Sequence, residues 1–357
     1  MTAAVQSSHW RIEAAGAVTA VGTRGWQSAA SWAAGVRRHR RQVMEAVGRQ
    51  PVTVAACPEV AGNTQGTERL ARLLAVALAD LLMPGGQMPA ACPPFPLVLL
   101  ALPQTLNDAA GAKVWDQARQ LLASYGFAGV FDNAHCYLFL QGPAGGMRAL
   151  GSLFAQGRSD KNPTVLAGVD SLVDLQRLCA DYAGERLMTR DNSEGWIAGE
   201  AAAAVLLHPV ADTRAEDDRH WVLHRPCVVK GQAPHLDKAK APPPQAMAQA
   251  LDQALQNAGW RGNHVGRLLS DHDGSAWRAR IHADARRRAG GGLDAAEWLP
   301  AAVTGQVGAA TAPLHWALAA WRLKVDARPP NSVMSSVLDD GPWAAAVALE
   351  RSLRGSR

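Results

Sequence analysis

Short uninterrupted apolar runs alternate along the chain with longer stretches of helical period, the pattern of strands and helices in layers. From Gly66 to Met83, Leu70, Leu73, Leu74, Ala77, Leu78, Leu81 and Leu82 recur every three or four residues and share one helix face, and Pro84, Gly85 and Gly86 end the helix. Phe95 to Leu102 is apolar throughout, as in a central strand covered on both faces. A second helix is predicted over 112–125, with Val114, Ala118, Leu121, Leu122 and Tyr125 inward and Gly126 as its stop. Thr164 to Val169 and Ala201 to Leu207 read as further buried strands, which completes a first α/β half over residues 1–210.

Residues 211–244 connect this half to the next through a charge run from Arg214 to His220, a strand from Trp221 to Val229 and a Pro/Lys-rich stretch ending in Pro242, Pro243 and Pro244. Beyond it the order repeats over residues 245–357. A helix (245–258), a strand (265–270), a basic helix (276–288), a long apolar helix (309–323) and a last strand (343–349) are predicted. Two halves of like order point to an ancient duplication.

At 357 residues, 48% hydrophobic and 19% charged, the composition excludes disorder, collagen and coiled coil. The net charge of +5 comes partly from clusters at Arg37, Arg38, His39, Arg40, Arg41 and at Arg286 to Arg288. Neither has interleaved aromatics or a recognisable nucleic-acid module, so both read as a solvated helix face or tail, and no nucleic-acid partner is expected. The first residues lack the basic and apolar regions of a leader, and runs such as Ala201 to Leu207 are too short to span a bilayer, so a cytoplasmic protein with no membrane partner is expected.

Five cysteines (Cys57, Cys92, Cys136, Cys179, Cys227), scattered and without a CxxC pair, read as reduced thiols. His220 and His224, with Cys227 near, would form half a metal site on a helix. The flanking residues read as strand, where four residues span about 13 Å, so no metal is expected. Phosphate-binding, nucleophile-elbow, HExxH and dinucleotide motifs are all missing, and no cofactor is expected.

Gly16-Ala-Val-Thr-Ala-Val-Gly22, Val165-Leu-Ala-Gly-Val-Asp-Ser-Leu172, Asn192-Ser-Glu-Gly-Trp-Ile-Ala-Gly-Glu200 and Thr304-Gly-Gln-Val-Gly-Ala-Ala-Thr311 resemble, in order, segments of the β-ketoacyl-ACP synthase branch of the thiolase superfamily. The resemblance implies a five-layer αβαβα fold of two similar halves packed face to face, and a homodimer. Gly195 and Gly199 read as structural, permitting a tight turn into the Ala201 strand.

In that family a cysteine thiolate at the N-terminus of a buried helix carries the acyl group. Matching Met147-Arg-Ala-Leu150 to the residues after it puts the nucleophile position at Pro143, which has neither a nucleophile nor an N–H for an oxyanion hole. Tyr137 through Gly151 contains no Cys, Ser or Thr. After Gly142, Pro143 suits the first turn of a helix whose inner face is Met147, Leu150 and Phe154. Gly145 and Gly146 either admit another segment closely or are merely tolerated there.

Of the family's two catalytic histidines, one falls on Gln306 and the other in Ser270-Asp-His-Asp-Gly-Ser275, where His272 fills the role with a small shift or is a hydrogen-bonded loop residue. Asp271 or Asp273 could equally cap the next helix. The remnant pocket is expected at Gly142, Pro143, Gly145, Asp271, His272, Asp273 and Gln306. Cys136 is no substitute nucleophile, because its neighbour His135 faces the other side of a strand.

These residues imply a ketosynthase-like scaffold without its reaction, working through a protein partner. Within the family the chain resembles the divergent, shortened proteobacterial proteins encoded among type VI secretion genes, which implies an adaptor or chaperone for secretion effectors. Trp260, Trp277, Trp298, Trp316, Trp321 and Trp343 could anchor an interface or fill the core. The rival reading is an acyltransferase or condensing-enzyme partner acting on acyl-carrier-protein or acyl-CoA substrates, including a silent subunit paired with an active ketosynthase. So short a chain is expected to have lost its acyl tunnel.

Overall fold

The computed structural model describes residues 9–43, 51–83, 94–156, 162–210, 220–232 and 243–352. Pro84 to Gly86, Cys92, the run from Arg214 to Arg219 and residues 233–242 of the Pro/Lys-rich stretch lie outside them.

The first half runs β1 (His9–Thr19), α1 (Gly25–Ala33), β2 (Arg40–Val43), β3 (Pro51–Ala55), α2 (Pro58–Ala61), α3 (Gly66–Leu82), β4 (Leu97–Ala101), α4 (Asp108–Leu122), β5 (His135–Phe139), α5 (Gly145–Ala155), β6 (Thr164–Ser171), α6 (Leu175–Ala183) and β7 (Ala198–Val210). The second runs β8 (Trp221–Leu223), β9 (Cys227–Lys230), α7 (Gln245–Ala258), β10 (Arg267–Ser270), α8 (Ala276–Arg288), β11 (Glu297–Trp298), α9 (Ala301–Thr304), α10 (Thr311–Val325), β12 (Ser332–Leu338) and β13 (Trp343–Arg351).

The strand order β11-β10-β12-β13-β8-β1-β7-β6-β4-β5 contains the same arrangement twice. In each half two parallel pairings (β5-β4-β6 and β11-β10-β12) are followed by two antiparallel ones (β6-β7-β1 and β12-β13-β8). The halves join where Trp10 and Arg11 of β1 pair with Leu223 and Val222 of β8.

Three of the four apolar cores among the described residues set the layers, the fourth being a smaller cluster around Val54, Leu172, Leu178 and Trp196. α3 and α4 cover the outer face of the first half's sheet through Leu73, Leu74, Leu78 and Val114. α7 and α8 cover the outer face of the second through Met247, Leu251 and Ile281. α5 and α10 lie between the sheets, with Leu150, Leu314, Trp316 and Leu318 packed among Leu166, Val205, Val333 and Val347. The result is the five-layer αβαβα fold. α10 is buried on all sides over Ala312–Ala319, where only His315 is polar, because both faces of the helix meet a sheet.

Several predicted elements differ in detail. Arg37 to Arg41 is no helix face: it leads into β2, which pairs with β3, and Arg38 and Arg40 form ion pairs with Glu59 at 3.4 and 3.0 Å. α4 stops at Leu122 and continues as a π-turn over Ala123–Phe127, in which Gly126 adopts φ 94°. That turn swings Tyr125 outward, so it is exposed, and the buried rings of Phe127 and Phe131 fill the inner side. The strand at 221–229 is split at His224, Arg225 and Pro226, the last without an N–H for the ladder. β12 has no counterpart in the sequence reading. Among the described residues, no helix is long and apolar enough to cross a membrane.

Candidate functional site

The N-terminal turns of the two central helices meet at the middle of the molecule. Gly142–Ala144 is a 3-10 turn leading into α5, with Pro143 in its first positions, as a residue without an N–H allows. Gly308–Ala310 is the matching turn into α10. A Cβ on Gly146 would lie 2.8 Å from Pro313 Cδ and 3.0 Å from Ala312 Cβ, which settles its role: it lets α5 approach α10. A Cβ added at Gly145 would lie 3.0 Å from Phe139 O, so this glycine lets α5 start close to β5. At Gly195 and Gly199 an added Cβ would run into the backbone of Leu187 and Thr304, so both glycines serve close chain crossings.

Gly142, Pro143 and Gln306 line one cavity of about 20 Å³, together with Asp170, Arg177, Trp196 and Asp340. That volume holds a single water. Pro103, Asp170, Leu172 and Arg177 of its wall also line an adjoining groove of about 930 Å³ that reaches Gln65, Leu70 and Leu106, and Pro143 is not part of that lining. Gln306 is buried. Its Oε1 accepts from the N–H of Val307 at 2.9 Å and of Gly308 at 3.3 Å, and its Nε2 donates to Asp273 Oδ2 at 3.3 Å. The side chain thus caps the α10 turn and ties it to the β10–α8 loop.

Asp271 and Asp273 come to the site from the other side, held by a fully buried arginine. Arg278 Nη1 lies 2.6 Å from Asp271 Oδ2, its Nε 3.1 Å from Asp273 Oδ2 and its Nη2 3.3 Å from Asp340 Oδ1. Asp271 also accepts from Leu338 N and pairs with His282 Nε2, both at 2.7 Å. Burial alone would raise its pKa, but Arg278 and His282 overcome that and hold it down to about 2. Neither aspartate caps α8. Asp273 Oδ1 instead accepts the N–H of Ser275 at 3.0 Å and its hydroxyl at 2.6 Å, so that Ser275 stands at the N-cap with its hydroxyl turned to Asp273 and not to the helix.

His272 and Gly145 are not among the residues lining the Pro143 cavity. The backbone N–H of His272 donates to Ser270 Oγ at 3.1 Å, and its half-buried ring has its pKa lowered, first by burial and then by His282. The structure therefore joins Gly142, Pro143, Gln306 and, through Gln306, Asp273, and leaves His272 aside.

Sequence reasoning missed the acid that faces the cavity. Asp170 at the end of β6 accepts the N–H of Ala309 at 2.8 Å and of Ser171 at 2.8 Å. It reaches Ala309 because Gly308, with φ 48°, has no Cβ to meet its carboxylate. Burial pushes its pKa up to about 6 against the pull of the Ala309 hydrogen bond and Arg177. Asp340, on the β12–β13 turn, is also raised by burial, and it stands between Arg278 and Arg177. The signal for Asp170 lay in the quoted Val165–Leu172 segment. Nothing local pointed to Asp340 or to Arg278, which the sequence places on a basic, solvated helix.

The remaining candidates are bound up elsewhere. The Cys136 thiol is pushed up to about 12 by burial, and that of Cys57 is also raised, first by burial and then by Glu200. His220 Nδ1 lies 3.0 Å from Ile12 O and His224 Nε2 3.1 Å from Glu350 Oε2. No group of three or more metal-ligating side chains occurs among the described residues. Of the six tryptophans considered as interface anchors, Trp316 is fully buried, whereas Trp260, Trp277, Trp298, Trp321 and Trp343 are partly exposed.

Glu200, at the end of its glycine-flanked segment, is a structural tie. It takes a bidentate pair from Arg69 (2.6 and 2.7 Å), the Cys57 N–H at 2.6 Å and the Ser171 hydroxyl at 2.8 Å, with no exposed surface.

No family model and no curated protein matches the chain. Solved structures do. An ishigamide ketosynthase/chain length factor is similar at TM-score 0.72 and 12% identity over 96% of this chain and 99% of the other. A type II polyketide acyl-carrier protein in complex with its ketosynthase bound to the hexaketide gives TM-score 0.73 and 12% identity over 97% and 99%. A ketosynthase in complex with its chain length factor from Xenorhabdus doucetiae gives 0.68 and 15% over 98% and 100%. At such identities the likeness speaks for the fold, and the fold of this chain is that of the thiolase-like ketosynthases.

Proposed function

We propose that this protein is a catalytically silent ketosynthase-like scaffold that acts in the cytoplasm by binding another protein. The observation that carries the reading is the cavity at Pro143: the residue has no nucleophile and no N–H, and the space beside it admits one water. Of the charged groups in its wall, Arg177 pairs with Asp181 and Asp340, Asp340 pairs also with Arg278, and Asp170 is an acid whose pKa burial pushes up to about 6.

The finer form of the proposal, an adaptor or chaperone for type VI secretion effectors, draws its support from the sequence resemblance. A second form has structural support of another kind. β5 ends the sheet, its outer edge has no strand partner among the described residues, and Tyr137 on it is 55% exposed. An open strand edge is a template for pairing with a second copy of this chain or with an active ketosynthase, and the similar structures include ketosynthases solved with a partner chain.

The test is a tagged pull-down from the native bacterium with an untagged control, joined to an assay of acyl transfer from acyl-CoA. Recovery of an effector or a secretion-spike protein supports the adaptor. Recovery of an active ketosynthase supports the silent subunit. Steady acyl transfer by the chain alone overturns the scaffold reading.

A further inference from the structure

A groove of about 910 Å³ opens at the end of the second half's sheet remote from the Pro143 cavity. It lies where β10 begins at Arg267 and β12 at Ser332, whereas the cavity abuts the other ends of these strands, past Ser270 and Leu338. Trp260, Trp298, Arg267, Arg322 and Arg328 line it.

Its charges are unequally matched. Arg322 is paired with Asp326 at 2.8 Å, and its guanidinium sits 4.8 Å from the Trp298 ring and 5.0 Å from that of Trp32. Glu350, the other carboxylate of the lining, is held by His224 at 3.1 Å. Arg267 donates to the adjacent Gly266 carbonyl, and among the described residues neither it nor Arg328 meets a carboxylate. Two cations unpaired within the described residues thus share the lining with two tryptophan rings. Trp298 belongs to β11, a two-residue strand at the end of the sheet whose outer side carries no strand among the described residues.

We propose that this groove binds an extended segment of a partner protein that carries carboxylates between apolar side chains. The carboxylates complement Arg267 and Arg328, the apolar side chains lie on Trp260 and Trp298, and the β11 edge offers main-chain hydrogen bonds. Such binding does not depend on whether the Pro143 cavity retains any chemistry.

The experiment is fluorescence anisotropy with the full chain at about 0.1 M salt, where exposed charges beyond roughly 10 Å are screened. The probes are a fluorescein-labelled peptide of alternating Asp and Leu with one Tyr, the same peptide with Lys for each Asp, and a short single-stranded DNA. The acidic peptide is expected to bind at least tenfold more tightly than the lysine peptide. Arg267→Glu with Arg328→Glu should weaken it at least tenfold at an unchanged Tm, while Arg190→Glu with Arg280→Glu, both exposed elsewhere, should leave it unaltered. Equal binding of the two peptides, no binding, or indifference to the Arg267 and Arg328 reversals overturns the proposal. So does tighter binding of the DNA with the same sensitivity, which would make the groove a nucleic-acid site.

Discussion

Replacing Asp170 by asparagine isolates the acid at the end of β6 that faces the cavity. In the unfolded chain this carboxyl ionises near 3.8, and in the folded protein near 6, chiefly because burial penalises its charge. Between those values the folded state holds a proton that the unfolded state has released, so stability falls as pH rises through the window. Above it the full penalty applies, about 3 kcal/mol, and about half of that is recovered by pH 5. The amide introduced by Asp170→Asn cannot titrate, but it can accept only one of the two hydrogen bonds from Ala309 and Ser171, a loss of about 1–3 kcal/mol that is independent of pH. Urea unfolding of both proteins at pH 8 and pH 5 separates the two effects. On going to pH 5 the wild type should gain about 1 kcal/mol relative to the variant. A constant difference, or a wild type that gains as pH rises, would refute the assignment of a raised pKa to Asp170.

Arg69→Met leaves Glu200 buried without its counter-charge and should lower unfolding stability by about 3–5 kcal/mol, while Arg69→Met with Glu200→Leu should restore most of the loss in the same urea assay. Equal losses would show that the pair matters only through packing. With its pKa near 12, Cys136 is about one part in ten thousand thiolate at pH 8. Iodoacetamide should therefore modify it far more slowly in the folded chain than in urea, as followed by peptide mass spectrometry. Pro143→Cys should acquire no acyl adduct from acyl-CoA, since a cavity of about 20 Å³ has no place for the chain; an added acyl mass on the intact protein would show that the cavity opens.

The parts of the fold legible in the sequence were those with one-sided or uninterrupted apolar patterns. α3 exposes its period because one face meets the sheet, and β4 its apolar run because both faces are covered. β12 escaped notice because Ser335 and Ser336 break its apolar run; both are nonetheless fully buried, with Ser335 Oγ 3.2 Å from His315 Nδ1. At the site, Pro143 and Gln306 were found through segments that resemble a known family, and the structure brings them to one cavity. Arg278 could not be recognised, because its significance depends on Asp340, sixty-two residues away, and on a loop that turns Asp271 and Asp273 back onto its own helix. Periodicity reports how an element faces its layer, and it carries no information about which distant carboxylate a buried guanidinium will meet.

On the scaffold reading, the change at the site is more than a missing sulfur. Arg278 draws in Asp271, Asp273 and Asp340, and Arg177 takes Asp181 at 2.8 Å and shares Asp340. Buried charges of this kind are tolerated only when every member is matched, and removing one leaves its partner uncompensated. Asp340 and Arg177 form part of the wall of the cavity at Pro143, so the group that closes the space also holds the second half's β12–β13 turn against α6 of the first. A ketosynthase site must instead keep room for its substrate at some expense in stability. On the scaffold reading, the ions at Pro143 serve instead to tie the two halves together, as expected of a protein under selection for its surface rather than its reaction.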